Sequence, residues 1–135
     1  MRRMAGGQPI AVSYSATPQQ IMDARGRIAE LYMDERIVDY IVDIVQATRT
    51  PREAGLGDLA PLIEFGASPR ATIALAQASR AHAYLRGRTF VTPDDVKAIA
   101  PDVLRHRVLT TYEAEAEEVS SDDVVSRVLA HIETP

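Results

Sequence analysis

Residues 66–71 read Gly-Ala-Ser-Pro-Arg-Ala, and they open the stretch of the chain with the strongest helix signal. Ser68 is a good N-cap, and Pro69 suits the first helical position, where its missing N–H costs nothing. Arg70 then falls in the first turn. That is the wrong end for a cation, because a helix N-terminus already carries partial positive charge. A local rule broken without visible compensation often marks a functional site. An arginine beside free backbone N–H groups is a natural grip for an anion, and phosphate is the obvious candidate. The alternative is a structural ion pair between Arg70 and a nearby acid such as Glu64. An exposed misplaced charge costs only about 0.3–1 kcal/mol, so the motif alone leaves both readings open.

The elements that must position these residues follow from capping and periodicity. Thr17-Pro18-Gln19-Gln20 is a helix start with a proline at the first position and a glutamine completing a capping box. Ile21, Arg25, Ile28 and Leu31 follow at helical spacing, although Gly26 weakens this helix by about 1 kcal/mol relative to alanine. Asp34 caps a second helix in which Ile37, Val38, Ile41, Ile44, Val45 and Thr48 recur at three and four, ending near Pro51. Residues 51–61 hold Pro51, Gly55, Gly57 and Pro61 and form a loop. Leu62-Ile63-Glu64-Phe65 is a short apolar piece before the Gly66 turn. The third helix is expected from Pro69 to Arg86, with Gly87 as its stop. Its Ala71, Ala74, Leu75, Ala78, Ala81, Ala83 and Leu85 cover more than one face, as in a central helix.

Thr92-Pro93-Asp94-Asp95 repeats the capping logic, with Val96, Ile99 and Val103 facing inward. Pro101 is expected to break this helix from a further turn over 102–108. The acidic run Glu113, Glu115, Glu117 and Glu118 reads as a solvated segment. Ser120-Ser121-Asp122-Asp123 opens a last helix with Val124, Val125, Val128, Leu129 and Ile132 as its apolar stripe. The expectation is an all-α bundle of about five helices. Residues 1–16, punctuated by Gly6, Gly7 and Pro9, read as a linker or arm, in which Ile10-Ala11-Val12 could pair as a short strand.

Composition narrows the function classes. The 135 residues suggest one domain, and 46% hydrophobic content supplies a real core. Aromatic content is only 5%, so small side chains point to tight helix packing rather than a large ligand cavity. The net charge of −4 does not favour generic binding to DNA or anionic membranes. A local patch of Arg86, Arg88, Arg105 and Arg107 stays open as a nucleic-acid surface, against the simpler reading of solvated arginines. There is no cysteine, which excludes disulfides and thiolate metal sites. No apolar run approaches the roughly 20 residues needed to span a bilayer. Residues 1–9 do not make a signal peptide, so a cytoplasmic protein is the expectation.

Complete catalytic motifs are missing. The single lysine is Lys97, so no Gly-x-x-x-x-Gly-Lys phosphate loop exists, and neither does a Gly-x-Gly-x-x-Gly run. His82, His106 and His131 show no metal-ligand spacing and read as surface or satisfied structural histidines. Hydrolase activity of these residues by themselves is not expected.

The run Glu64-Phe65-Gly66-Ala67-Ser68-Pro69-Arg70-Ala71-Thr72-Ile73-Ala74-Leu75 closely resembles the sensor 2 segment of the MoxR family of AAA+ ATPases. Downstream, Arg80-Ala81-His82-Ala83, Gly87-Arg88, Val91-Thr92-Pro93-Asp94-Asp95-Val96 and Pro101–Arg107 are similar to the same family. Upstream, Val38–Val42 and Ala47-Thr48-Arg49 resemble the first part of the family's lid. The resemblance covers roughly residues 18–132 and is to the helical lid alone; the P-loop αβ subdomain of the family has no counterpart. It implies that residues 17–135 are a C-terminal lid and that Arg70 is the sensor 2 arginine, aimed by Ser68 and Pro69 at the γ-phosphate of ATP. By the same resemblance the parent protein would use ATP and Mg2+, its P-loop subdomain would be the lid's partner, and it would assemble as a hexamer. The family is associated with chaperone-like maturation of proteins and metal cofactors, often with von Willebrand factor A-domain partners. The competing class is a helical interaction or nucleic-acid-binding module in which Arg70 makes a salt bridge.

Overall fold

Short side chains set most of the helix starts. In the computed structural model, which describes residues 14–135, α1 (Pro18–Ala29) begins at Thr17, whose hydroxyl accepts from the Gln20 N–H at 3.2 Å while Gln20 Oε1 accepts from the Thr17 N–H at 2.8 Å. Asp34 caps α2 (Glu35–Arg49) through the Arg36 N–H. Reciprocal capping boxes also open α4 (Pro93–Leu104), from Thr92 and Asp95, and α6 (Ser121–His131), from Ser120 and Asp123. Such caps contribute on the order of 1 kcal/mol each and stop the chain from choosing other starts. Gly87, at φ +72°, ends α3 (Arg70–Leu85) in the left-handed conformation that glycine adopts without strain. The proposed strand at Ile10-Ala11-Val12 and most of the arm over 1–16 lie outside the described residues.

The core sits where α2, α3, α4 and α6 meet. Ile41, Ile44, Leu75, Val96, Leu104, Val124, Val125 and Val128 are fully buried within it. Burial of each such side chain is worth roughly 1.5–3 kcal/mol. The loop between α2 and α3 adds Leu56, Leu59 and Leu62, which turn inward at a spacing of three. The α3 helix is central, touching α1, α2 and α4. Its buried face is narrower than expected: Ala71, Leu75, Ser79 and Ala83 are inside, and Leu85 is 81% exposed. Val38 also points outward, because Tyr40 and Ala47 complete the inner face of α2 in its place. The α1 helix buries none of its own residues and rests on α3.

One local expectation is corrected, and two stretches gain structure. Pro101 does not break α4, which runs through to Leu104. The N–H that proline lacks removes one helix bond, but the buried Ala100, Val103 and Leu104 around it hold the turn. The acidic run is solvated as expected, with Glu113, Glu115, Glu117 and Glu118 all exposed, and within it Thr111 caps a short α5 (Tyr112–Ala116) that buries Ala114. Finally, the apolar piece before Gly66 is a strand. β1 (Ile63–Phe65) pairs antiparallel with β2 (Leu109–Thr110), matching Ile63 with Thr110 and Phe65 with Leu109. The short α5 and this ribbon are small additions to an all-α architecture. The ribbon matters because it fixes the chain immediately before the Ser68–Arg70 segment.

Candidate functional site

The segment from Gly66 to Arg70 is built against the C-terminal turn of α2. Thr48 is fully buried, and its hydroxyl donates to the Val45 carbonyl at 2.7 Å. The same oxygen accepts from the Ala67 N–H at 3.0 Å, so the buried amide of the approach to α3 is satisfied by α2. The Nη1 of Arg49 donates to the Ala67 carbonyl at 3.3 Å. Gly66 passes so close to α2 that a Cβ there would lie 2.2 Å from the Thr48 carbonyl oxygen. Only glycine fits that approach.

From this anchored point the chain enters α3. The helix starts at Arg70, one residue later than expected, with Pro69 rather than Ser68 in the cap position and no side-chain cap bond. Pro69 is already helical, at φ −54° and ψ −24°. The first turn closes on backbone: the Ala71 N–H donates to the Ser68 carbonyl at 2.8 Å and the Thr72 N–H to the Pro69 carbonyl at 3.1 Å. The expected free backbone N–H groups are therefore mostly engaged. What the site offers an anion is the Arg70 side chain itself. Arg70 is exposed, and among the described residues it forms no ion pair with Glu64 or any other acid. Ser68 and Pro69 are exposed beside it. A guanidinium at a positive helix end, with no counter-charge, has its planar fork free for a carboxylate or phosphate.

Residues 58–128 match the AAA lid domain family. The chain belongs to that family. Chaperone MoxR1 of Mycobacterium tuberculosis is 44% identical over 107 residues, 79% of this chain and 28% of its own length. Protein MoxR of Paracoccus denitrificans is 44% identical over 73 residues, 51% of this chain and 22% of its own. A crystal structure of a candidate ATPase from Cytophaga hutchinsonii covers 100% of this chain at 34% identity and a TM-score of 0.93, and the match takes in 41% of that protein. The resemblance to the lid of MoxR-family AAA+ ATPases thus holds. The lid spans less than a third of the length of the curated relatives it matches.

The lid also contains a buried charge cluster that the sequence shows only as a cap. Asp95 is fully buried. Its Oδ2 accepts from the N–H and the hydroxyl of Thr92, both at 2.8 Å. Its Oδ1 accepts from Nδ1 of His82 at 2.7 Å and from the Arg88 guanidinium. Burial alone would raise the Asp95 carboxyl. The Thr92 N–H, His82, the Thr92 hydroxyl and Arg88 outweigh it and hold the group below the ordinary carboxylate value. His82 is thus a satisfied structural histidine, and the cluster ties α3, the α3–α4 turn and α4 together. His131 is engaged as well, its Nε2 lying 2.9 Å from the Ala54 carbonyl oxygen.

The expected basic patch is not a set of four free cations. Arg88 is bound to Asp95, Arg105 pairs with Asp102 at 3.0 Å and Asp122 at 3.2 Å, and Arg107 donates to the Val103 carbonyl. Among the described residues that leaves Arg86 and Arg107 without an acid partner, and with half of the four neutralised the nucleic-acid reading is weaker. Among the described residues no cluster of three or more histidines and acids could hold a metal ion. No helix there is long and apolar enough to cross a membrane.

Proposed function

We propose that residues 17–135 are the lid of a MoxR-type AAA+ ATPase and that Arg70 is its sensor 2 arginine. One observation carries the reading: Arg70 is an exposed, uncompensated cation at the N-terminus of the central helix, preceded by a segment locked onto α2. A free arginine there contributes little to the fold, so a ligand accounts for it better than stability does. The ligand is the terminal phosphate of ATP held by the P-loop αβ subdomain of the same parent protein. Two guanidinium N–H groups would hydrogen-bond its non-bridging oxygens, and the positive charge would offset the negative charge that develops during phosphoryl transfer. ATP and Mg2+ supply the phosphoryl chemistry in the parent; none of the described residues is assigned a Mg2+ ligand. Contact with Arg70 would turn the presence or absence of the phosphate into a rotation of the lid, read by neighbouring subunits of a hexamer. A cytoplasmic, chaperone-like ATPase that matures other proteins or their metal cofactors, with a von Willebrand factor A-domain partner, is the fitting setting.

The test is kinetic and thermodynamic together. In the full-length ATPase, Arg70→Ala lowers turnover by roughly tenfold or more, on the scale of losing a transition-state arginine. Arg70→Lys restores only part, because lysine lacks the planar fork. The melting temperature of the lid alone barely moves. If turnover survives while the lid melts several degrees lower, Arg70 is a structural residue and the assignment is wrong.

A further inference from the structure

We infer that Thr48 and Arg49 are positioning residues that set where Arg70 stands, so that the last turn of α2 and the phosphate-sensing arginine move as one body. The inference rests on the assignment of Arg70 given above. Three contacts from two consecutive α2 residues converge on two consecutive residues of the approach segment. The Thr48 hydroxyl takes the Ala67 N–H, and the Arg49 guanidinium takes the Ala67 carbonyl, so both polar groups of one peptide residue are held by α2. The Gly66 backbone lies flush on the Thr48 carbonyl. From Ala67 only Ser68 and Pro69 intervene before Arg70, and the Pro69 ring fixes one of their dihedrals. The Ala71 N–H closes onto the Ser68 carbonyl, which removes most of the remaining freedom.

The Thr48 hydroxyl is oriented rather than merely present. Its hydrogen is committed to Val45, which turns a lone pair toward Ala67. Arg49 is the informative member of the pair, because it is exposed and contributes little to the core. It spends one N–H on the carbonyl of the fully buried Ala67, which satisfies that group and fixes the segment carrying Arg70. Misplacing a catalytic contact by about 1 Å can cost on the order of a hundredfold in rate.

The experiment is a double-mutant cycle on ATP turnover by the full-length ATPase, with Arg49→Ala and Arg70→Ala. Arg49→Ala alone should lower kcat at least about fivefold, and in the Arg70→Ala background it should lower it less than about twofold further, since a lost arginine cannot be mispositioned. Arg49→Lys should restore most of the rate, because one N–H suffices for the Ala67 carbonyl; a direct fork on phosphate would not be restored. Thr48→Ser should keep near-normal turnover and Thr48→Val should lose it. Unchanged turnover in Arg49→Ala, or a full loss in both backgrounds, overturns the positioning role while leaving the Arg70 assignment standing. Unchanged turnover in Arg70→Ala overturns both.

Discussion

At the residue scale, the chain separates groups that are satisfied from groups that are not. Asp95 accepts four hydrogen bonds from three residues, and Thr48 uses its hydroxyl as both donor and acceptor. Ser79, by contrast, is fully buried on the inner face of α3, and its hydroxyl has no hydrogen-bond partner. A buried unpaired hydroxyl costs about 1–3 kcal/mol in desolvation, and serine is a weaker helix former than alanine. Ser79→Ala should therefore raise stability by about 1 kcal/mol, with a higher denaturant midpoint and an unchanged slope. A lower midpoint would mean that the hydroxyl is paired in solution. Arg70 is unsatisfied in a different sense, since it is in water and costs little to leave free. The sequence marks it by its wrong end of the helix. The absence of a pairing acid could not be read there, because Glu64 is near in sequence yet makes no ion pair with it in the fold.

At the element scale, what holds α3 in place is its approach as much as its buried face. Gly66 has no room for a side chain, since the atoms a Cβ would meet at 2.2, 2.5 and 2.7 Å are all α2 backbone and cannot swing aside. Gly66→Ala should push the approach segment off α2 and destabilise the lid by about 1–3 kcal/mol, the usual cost of overpacking. Faster amide exchange at Ala67 than at the interior of α3 would report the released clamp; protection equal to the wild type would show that the segment absorbs a methyl. Much of this scale is legible in the sequence, and for a physical reason. The caps at Thr17, Thr92 and Ser120 and the stop at Gly87 depend on residues within three or four positions, so their chemistry is written locally. The β1–β2 ribbon joins Phe65 to Leu109, and neither short strand carries enough periodicity to announce the other. Asp95 reads as a cap residue for the same reason: Thr92 is three positions away, whereas His82 and Arg88 arrive only when α3 folds back on α4. Pro101 misled because its local penalty is real, and tertiary burial of its neighbours overrides it.

At the scale of the whole molecule, the Asp95 cluster makes stability answer to acid in a predictable direction. The lid carries an excess of acids, 19 against 15 lysines and arginines, so acidification removes negative charge across the surface and leaves a net positive chain. Exposed carboxylates contribute little to this response. Asp34, lowered chiefly by the Arg36 side chain, and Asp123, lowered chiefly by the Ser120 hydroxyl, are open to solvent, where screening weakens their contribution. Asp95 is different, because it is buried at the junction of the two helices α3 and α4 and its carboxyl is held below the unfolded value. A depressed carboxyl stabilises the fold above its unfolded pKa, near about 3.9, and that stability is lost as pH falls through the lower folded value. The wild-type lid should therefore hold its stability from neutral pH down to about 4 and lose it below. Asp95→Asn keeps the shape but removes the charge that His82 and Arg88 face. It should be less stable at pH 7 by roughly 1–3 kcal/mol, and its stability should fall less steeply below pH 4 than that of the wild type. The other acids titrate in both proteins, so the difference between the two curves isolates Asp95. Parallel curves across the acid range would mean that the Asp95 carboxyl is not held low by its partners, and that the α3–α4 junction owes its stability to apolar packing alone.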